Sequence, residues 1–495
     1  MSLAAALSAL LIAAVAFALR TLVHVGREPG GVDTWYFLAY ADAVRQKPGF
    51  DVRLPQYLLQ DERQSYPPLF PMLLALVPGP WLRRWFWVVS LAIDCVQMLF
   101  LYFVAYRITA STAVAALAAS TFAFTPQLVS DARSLSARPF GALLCSGALV
   151  LSLKATTAGA SWPWLACAVL VAAALFLSSA AMAAAYGVVC LVLSFAFGEP
   201  RHLAIAVAGI AGAIVLSRGH FFRVVLNYWH AVQYWRRNRH LYGGHVVHDS
   251  PVYGKPRRGP MPERPGLLGE TTAQQVLRLL GENPFLLALA LAPYGLVPWG
   301  PRLYIWALAL AGLAVVATLL PPLRAFGPGR TYMRAAVFPT AYVLAVGIGT
   351  ADGLLRPLGL ATLACLALSL AAIAFFYRYT RSRPTELTAT VPEELEAAAG
   401  ALRRLPHDGV LVLPFMYADY VAYASGKRVL WGGHCGDLRP LERVTPVLRE
   451  PILDLLASCG ARYVLLDEAF ATVAELALST AAAQWRRGSF VVLSA

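Results

Sequence analysis

Charge is what this chain has least of. Only 14% of its 495 residues are Asp, Glu, Lys or Arg, and 58% are hydrophobic, whereas an average soluble domain carries about 25% charged residues. A water-soluble or disordered chain is excluded, and the sequence reads as an integral membrane protein. Acids are scarcer than bases, 27 against 41, which leaves a formal charge of +14. Such a surplus calls for an anionic partner; for a chain of this class that partner is membrane phosphate, and no nucleic acid. Cysteine is also rare, seven in all. Cys95, Cys145, Cys167, Cys190 and Cys365 fall in apolar runs, where a thiol serves as a small hydrophobe, and no zinc-type spacing is present. Cys435 and Cys459 lie in the tail, as a disulfide or as two free thiols. Internal repeats, low-complexity tracts, a glycine-rich phosphate fingerprint and any Ser-His-Asp or Cys-His spacing are all missing.

What is present is a series of apolar runs. Leu3 to Leu19 is long enough to span and is closed by Arg20; it lacks the basic n-region of a signal peptide, so it reads as a retained anchor rather than a cleaved leader. Further runs at 85–106, 109–129, 138–153, 162–179, 182–198, 203–217, 284–299, 303–320, 335–350 and 357–377 bring the expectation to about eleven spans. With the N-terminus inside, the loops 20–84, 130–137, 218–283 and 321–334 and everything after 378 share the outer face, so the active face and the C-terminal domain are expected to be extracytoplasmic, in the cell membrane. Two domains are expected, a membrane module over 1–383 and a soluble domain over 384–495. In the latter, short apolar strands at 409–414, 428–431 and 462–467 alternate with helices at 391–405 and 451–458, the pattern of a small α/β domain with a mostly parallel sheet.

Ionisable residues at a membrane mouth are expensive and point to function. The first outer loop carries Gly31-Val32-Asp33-Thr34-Trp35-Tyr36 at the start of an amphipathic segment. Asp33 there can cap the helix, act as a general base on an acceptor hydroxyl, or help to hold a cation. The loop ends in Tyr66-Pro67-Pro68-Leu69. The second outer loop holds Asp131, Arg133 and Arg138, with Arg138-Pro139-Phe140-Gly141 opening the next helix; they read either as a structural acid-base pair or as a phosphate fork. Between 218 and 283, His220, Arg223 and Arg236 alternate with aromatics, which suits an interfacial helix and anionic headgroups alike. His245-x-x-His248-Asp249 is a weak metal signal. Arg330 and Arg334 precede a late span, where a charged helix end is the plain reading.

In the order of these parts the chain resembles the GT-C class of polytopic glycosyltransferases, relatives of the oligosaccharyltransferase catalytic subunit and of the lipid-phosphate mannosyl- and aminoarabinosyl-transferases. The resemblance implies an α-helical polytopic membrane fold with a small C-terminal α/β domain. It also implies a sugar donor carried on polyprenyl or dolichyl phosphate, membrane lipid as a partner, and an acceptor glycan, lipid or protein. Asp33 takes the catalytic acidic position of the first loop, and Asp131 matches that of the second. Arg138, Arg330, Arg334, Tyr66 and His220 become candidates for binding the donor or its phosphate. Some members have a paired Asp-x-Asp where this chain has Asp33-Thr34-Trp35, which leaves a divalent metal, Mg or Mn on Asp33 and Asp131, as an open question. The Trp-Trp-Asp of oligosaccharyltransferases has no counterpart, which argues against protein N-glycosylation. The rival is a transporter or flippase for an anionic lipid-linked substrate, which would favour mid-membrane acids; Asp94 is the one acid well inside an expected span.

Overall fold

A computed structural model of the chain describes residues 2–22, 32–59, 63–132, 134–157, 162–238, 272–320, 323, 329–350, 355–382, 391–432, 438–443, 449–478 and 481–494. It is a polytopic helical fold with a small C-terminal sheet, and it divides into two compact units. One comprises Met1–Arg27, Trp85–Gly219 and Thr271–Arg383; the other comprises Glu28–Arg84, His220–Glu270 and Pro384–Ala495.

Among the described residues, seven helices are long and apolar enough to cross a bilayer: Leu3–Thr21, Gly79–Thr109, Arg138–Thr156, Ala180–Phe197, Gly300–Leu319, Gly329–Gly349 and Pro357–Arg378. Three expected spans are shorter apolar helices, Thr112–Ala123, Trp162–Phe176 and Arg201–Leu216. The first of these is capped by the Ser111 hydroxyl, which accepts from Val114 N at 3.3 Å. The run at 284–299 is not one helix: it is a turn of helix over Phe285–Leu289 and a 3-10 turn over Tyr294–Leu296. Pro293, Gly295 and Pro298 explain the break, since proline removes a ladder donor and clashes with the preceding turn.

The helix Gly329–Thr350 lies deepest in its unit. Of its apolar window 89% is buried, against 22–61% in the other six. It packs against the helix Gly300–Leu319 so closely that a Cβ on Gly329 would stand 2.1 Å from the Ala314 carbonyl oxygen.

The second unit is built on a four-stranded sheet of order β1-β2-β4-β3, with β1 Val410–Leu413, β2 Tyr463–Asp467, β3 Ala482–Arg487 and β4 Phe490–Ser494. Only β1 and β2 are parallel; β4 runs antiparallel to both β2 and β3. The strands expected from sequence pair in parallel, as do the bridges Val410–Val429 and Tyr57–Val429, and a hairpin turning at Gly488, φ 57°, adds two antiparallel pairings that make the sheet mixed. Its strand β3 is almost wholly exposed and carries no apolar run to announce it.

The sheet continues past β1 into other parts of the chain. Val410 N donates to Arg428 O at 2.9 Å and Leu430 N to Val410 O at 3.1 Å; beyond them Val429 N donates to Gln56 O at 2.7 Å and Leu58 N to Val429 O at 2.9 Å. First-loop residues 56–59 thus form an added edge, and Leu58 and Leu59 pack on the sheet core beside Leu411, Leu430, Val464 and Tyr234. The Tyr57 hydroxyl donates to the buried Asp419 at 2.7 Å. Gly432 sits against this bond: a Cβ there would lie 2.2 Å from both Asp419 Oδ1 and the Tyr57 ring. Gly432→Ala is therefore expected to lower stability by about 1–3 kcal/mol through overpacking. Thermal unfolding of the purified protein checks this; an unchanged midpoint would mean that the loop edge is not held at this point.

Candidate functional site

In the membrane unit, charged side chains meet at the start of the deepest helix. Arg334, 1% exposed, donates from Nη2 to Asp94 Oδ1 and from Nη1 to Asp131 Oδ2 at 3.1 Å. Asp94, 2% exposed, also lies 3.7 Å from Nε of the buried Arg20. Arg330 Nη1 reaches Asp131 Oδ1 at 2.9 Å, while its Nη2 donates to Ser130 Oγ and its Nε to Glu282 Oε2. Arg278 closes the series on Glu282 at 3.1 Å. Gln127 donates to the Arg330 carbonyl at 2.6 Å and accepts from Asn283 at 2.9 Å, which fixes the backbone there.

The chain of contacts alternates in sign, with four guanidiniums, Arg20, Arg334, Arg330 and Arg278, on three carboxylates. Arg138 adds a further positive field at Asp131. Burial pushes the Asp131 carboxyl upward, but Arg330, Arg334 and Arg138 together hold it below the usual carboxylate range. Asp131 is thus an anion at neutral pH, in a group with a net positive charge. Chemically this is a site that tolerates one more anion.

Of the residues expected to act, Asp131, Arg138, Arg330 and Arg334 belong to this unit, with Arg138 exposed at the first turn of its helix. Asp33, Tyr66 and His220 belong to the other. Asp33 stands half-buried in the first turn of the helix Val32–Gln46. This helix is held by its apolar side: Tyr36 and Tyr40 are fully buried, Tyr36 donates to Gln64 at 3.0 Å, and the Tyr66 ring packs 5.3 Å from Phe37. Trp35, two residues from Asp33, lies 5.0 Å from Tyr420 and 5.6 Å from Tyr423 of the tail. Burial, and then the Asp33 charge, raise the phenol of Tyr228. His220 is 7% exposed beside Phe50. Burial and Arg223 lower its pKa, against the opposing pull of Asp51 and the Tyr66 backbone.

Among the described residues, no three of His, Cys, Asp and Glu come together as a metal set. His245, His248 and Cys435 lie outside the described residues. Asp94, Arg20 and Glu282 were not singled out as site residues from sequence; the signal for the first two was an acid inside one apolar run and a base closing another. Asp94, the acid that a transporter would use at mid-membrane, is taken up by Arg20 and Arg334.

Two outcomes follow. Removing one member of a buried ion pair strands the other, at a cost of about 3–5 kcal/mol; Asp94→Leu and Arg334→Met should each destabilise the protein by that order. The double variant should recover only the part owed to the Asp94–Arg334 pair, because Arg20 still loses its carboxylate, and a thermal double-mutant cycle in detergent measures it. Second, a histidine held neutral by the fold contributes stability above its unfolded pKa of about 6.5. As pH falls below that value the unfolded state gains a proton that the folded state resists, so stability is lost. Melting curves between neutral and mildly acid pH should show this slope, and His220→Gln should flatten it.

The chain matches no known family profile, and no curated protein matches it by sequence. Solved structures do match. ArnT from Cupriavidus metallidurans, in the apo state, superposes with a TM-score of 0.61 at 14% identity over 98% of this chain and 97% of that one. ArnT bound to undecaprenyl phosphate gives 0.58 at 13%. The oligosaccharyltransferase AglB of Archaeoglobus fulgidus, in complex with an inhibitory peptide and a dolichol-phosphate, gives 0.56 at 13% over 93% of this chain and 69% of that one. The fold is that of the GT-C class.

Proposed function

We propose that this protein is a membrane glycosyltransferase which moves a sugar from a polyprenyl or dolichyl phosphate donor onto an acceptor hydroxyl, with inversion, at the extracytoplasmic face. The observation that carries the reading is the charge group around Asp131 and Arg330, which holds more guanidinium than carboxylate inside an apolar bundle. A phosphate monoanion or dianion complements that surplus through charge-assisted, paired hydrogen bonds. The GT-C fold supports it, since one neighbour of the same fold is bound to undecaprenyl phosphate and another to a dolichol-phosphate.

In this reading Asp33 accepts the proton of the acceptor hydroxyl as its oxygen bonds to the anomeric carbon. The bond from that carbon to the phosphate oxygen breaks, and its electron pair leaves with the polyprenyl phosphate. Arg330 and Arg138 are the more accessible cations and are assigned to the leaving phosphate, where charge grows as the bond opens. Arg334 is buried and shared between two acids, so its part is to fix Asp131, which orients Arg330 in turn. Tyr66 packs on Phe37 of the Asp33 helix, and His220 stays a candidate for binding the donor. Asp33 and Asp131 are the carboxylates to which a divalent cation, Mg or Mn, would be assigned.

Asp33→Asn keeps the shape and removes the base, so transfer from a radiolabelled polyprenyl-phosphate sugar in proteoliposomes should fall by about 10²- to 10⁴-fold, with the melting temperature unchanged. Arg330→Lys should weaken binding of undecaprenyl phosphate, because lysine keeps the charge but lacks the planar fork. Native mass spectrometry reads that affinity. Full turnover in Asp33→Asn would reduce Asp33 to a helix cap, and equal lipid affinity in the Arg330 variant would remove the phosphate assignment.

A further inference from the structure

The helix His220–Asn238 has one face that the protein uses and one that it does not. Inward, Phe221 and Val224 are buried, Tyr234 lies in the sheet core, and Arg237 and Asn238 hold Glu442 at 3.0 and 3.1 Å. Outward, Phe222 is 57% exposed, Val225 48%, Leu226 57% and Trp229 56%. At 3.6 residues per turn these four fall within an arc of about 100°, and the exposed Arg236 continues the same line two turns later. Arg223 flanks the stripe and is tied to Asp51 at 3.0 Å, and Arg237, farther along the same flank, is tied to Glu442. A stripe so ordered is too regular to be four scattered surface residues.

Covalent continuity identifies what covers it. The apolar helix Arg201–Leu216 of the membrane unit ends in Val215 and Leu216, themselves 75% and 52% exposed as lipid-facing residues are. Only residues 217–219 separate Leu216 from His220, which keeps the two helix ends within about 14 Å. Arg218 and Gly219 take positive φ values of 51° and 82°, which a continuous helix does not allow. An apolar stripe that includes a tryptophan, begins at the end of a membrane helix and is followed by cations has the composition that the headgroup region selects.

We infer that this face of the helix docks on the bilayer surface, with Phe222, Val225, Leu226 and Trp229 entering the headgroup-acyl boundary and Arg218 and Arg236 meeting anionic headgroups. The membrane then holds the second unit at a surface of its own, independent of any substrate. This holds whether or not the protein transfers sugar.

The test places a nitroxide on single cysteines at 222, 226, 229 and 236 of the full-length protein, its native cysteines replaced, in vesicles of phosphatidylethanolamine and phosphatidylglycerol. Power saturation should show oxygen reaching 222, 226 and 229 several-fold better than a nickel chelate, with the reverse at 236. Nickel dominating at 222 and 229 would put the face in water. Exclusion of both reagents together with spin-spin broadening would seat a second copy there, and exclusion without broadening a different protein; each outcome overturns the proposal. Exchanging phosphatidylglycerol for phosphatidylcholine should reduce the contrast at 229, and an unchanged contrast would remove the headgroup part. If the cysteine-free protein does not fold, brominated lipid replaces the labels. Quenching of the native protein should then exceed that of Trp229→Phe, and equal quenching would overturn the docking.

Discussion

A charged group buried in an apolar bundle must find a partner or cost several kcal/mol, and the deepest helix of this protein brings two such groups in its opening turns. Arg330 and Arg334 are one helical turn apart, so their side chains lie on one face. Satisfying them requires acids from elsewhere: Asp94 from the helix Gly79–Thr109, Asp131 from the second loop, and Glu282 from the amphipathic helix Thr272–Glu282. Arg20, at the end of the first helix, is drawn in by Asp94. Each of these elements is thereby fixed in register against the central helix by a contact with direction, which lipid-like packing alone does not supply.

The second unit solves a different problem. A sheet of four strands offers an open edge, and β1 is covered by residues 428–430, which are covered in turn by residues 56–59 of the first loop. Exposed edges invite pairing with other chains. Here the added edge also carries the first loop onto the tail, and the same loop bears Asp33, whose helix is packed through Trp35 on Tyr420 and Tyr423. The tail therefore belongs with the loop as one body, although 384–495 reads in sequence as a separate segment.

Legibility followed periodicity. Long apolar runs announced the spans because nothing else explains so many consecutive hydrophobic residues, and the run at 284–299 proved to be broken where Pro293, Gly295 and Pro298 stand. Asp33, Asp131 and Arg334 could be singled out because a charge beside an apolar run is rare. Their partners could not: Asp94 meets Arg334 across 240 residues, and no local pattern encodes such a pairing. The hairpin of β3 and β4 was hidden for another reason. Its outer strand, Ala482–Arg487, is almost wholly exposed and has no apolar run, and only the apolar Phe490–Leu493 hints at a strand.

The join between Tyr57 and Asp419 has a consequence for how the chain is made. The two residues are 362 positions apart, and a ribosome adding about 5–20 residues per second needs about 20 to 70 s to go from one to the other. Throughout that interval the first loop has been made but its strand partner has not, and Leu58 and Leu59 lack the sheet core on which they pack. The surface that finally covers these two leucines is thus made long after them, and the edge cannot close until it is.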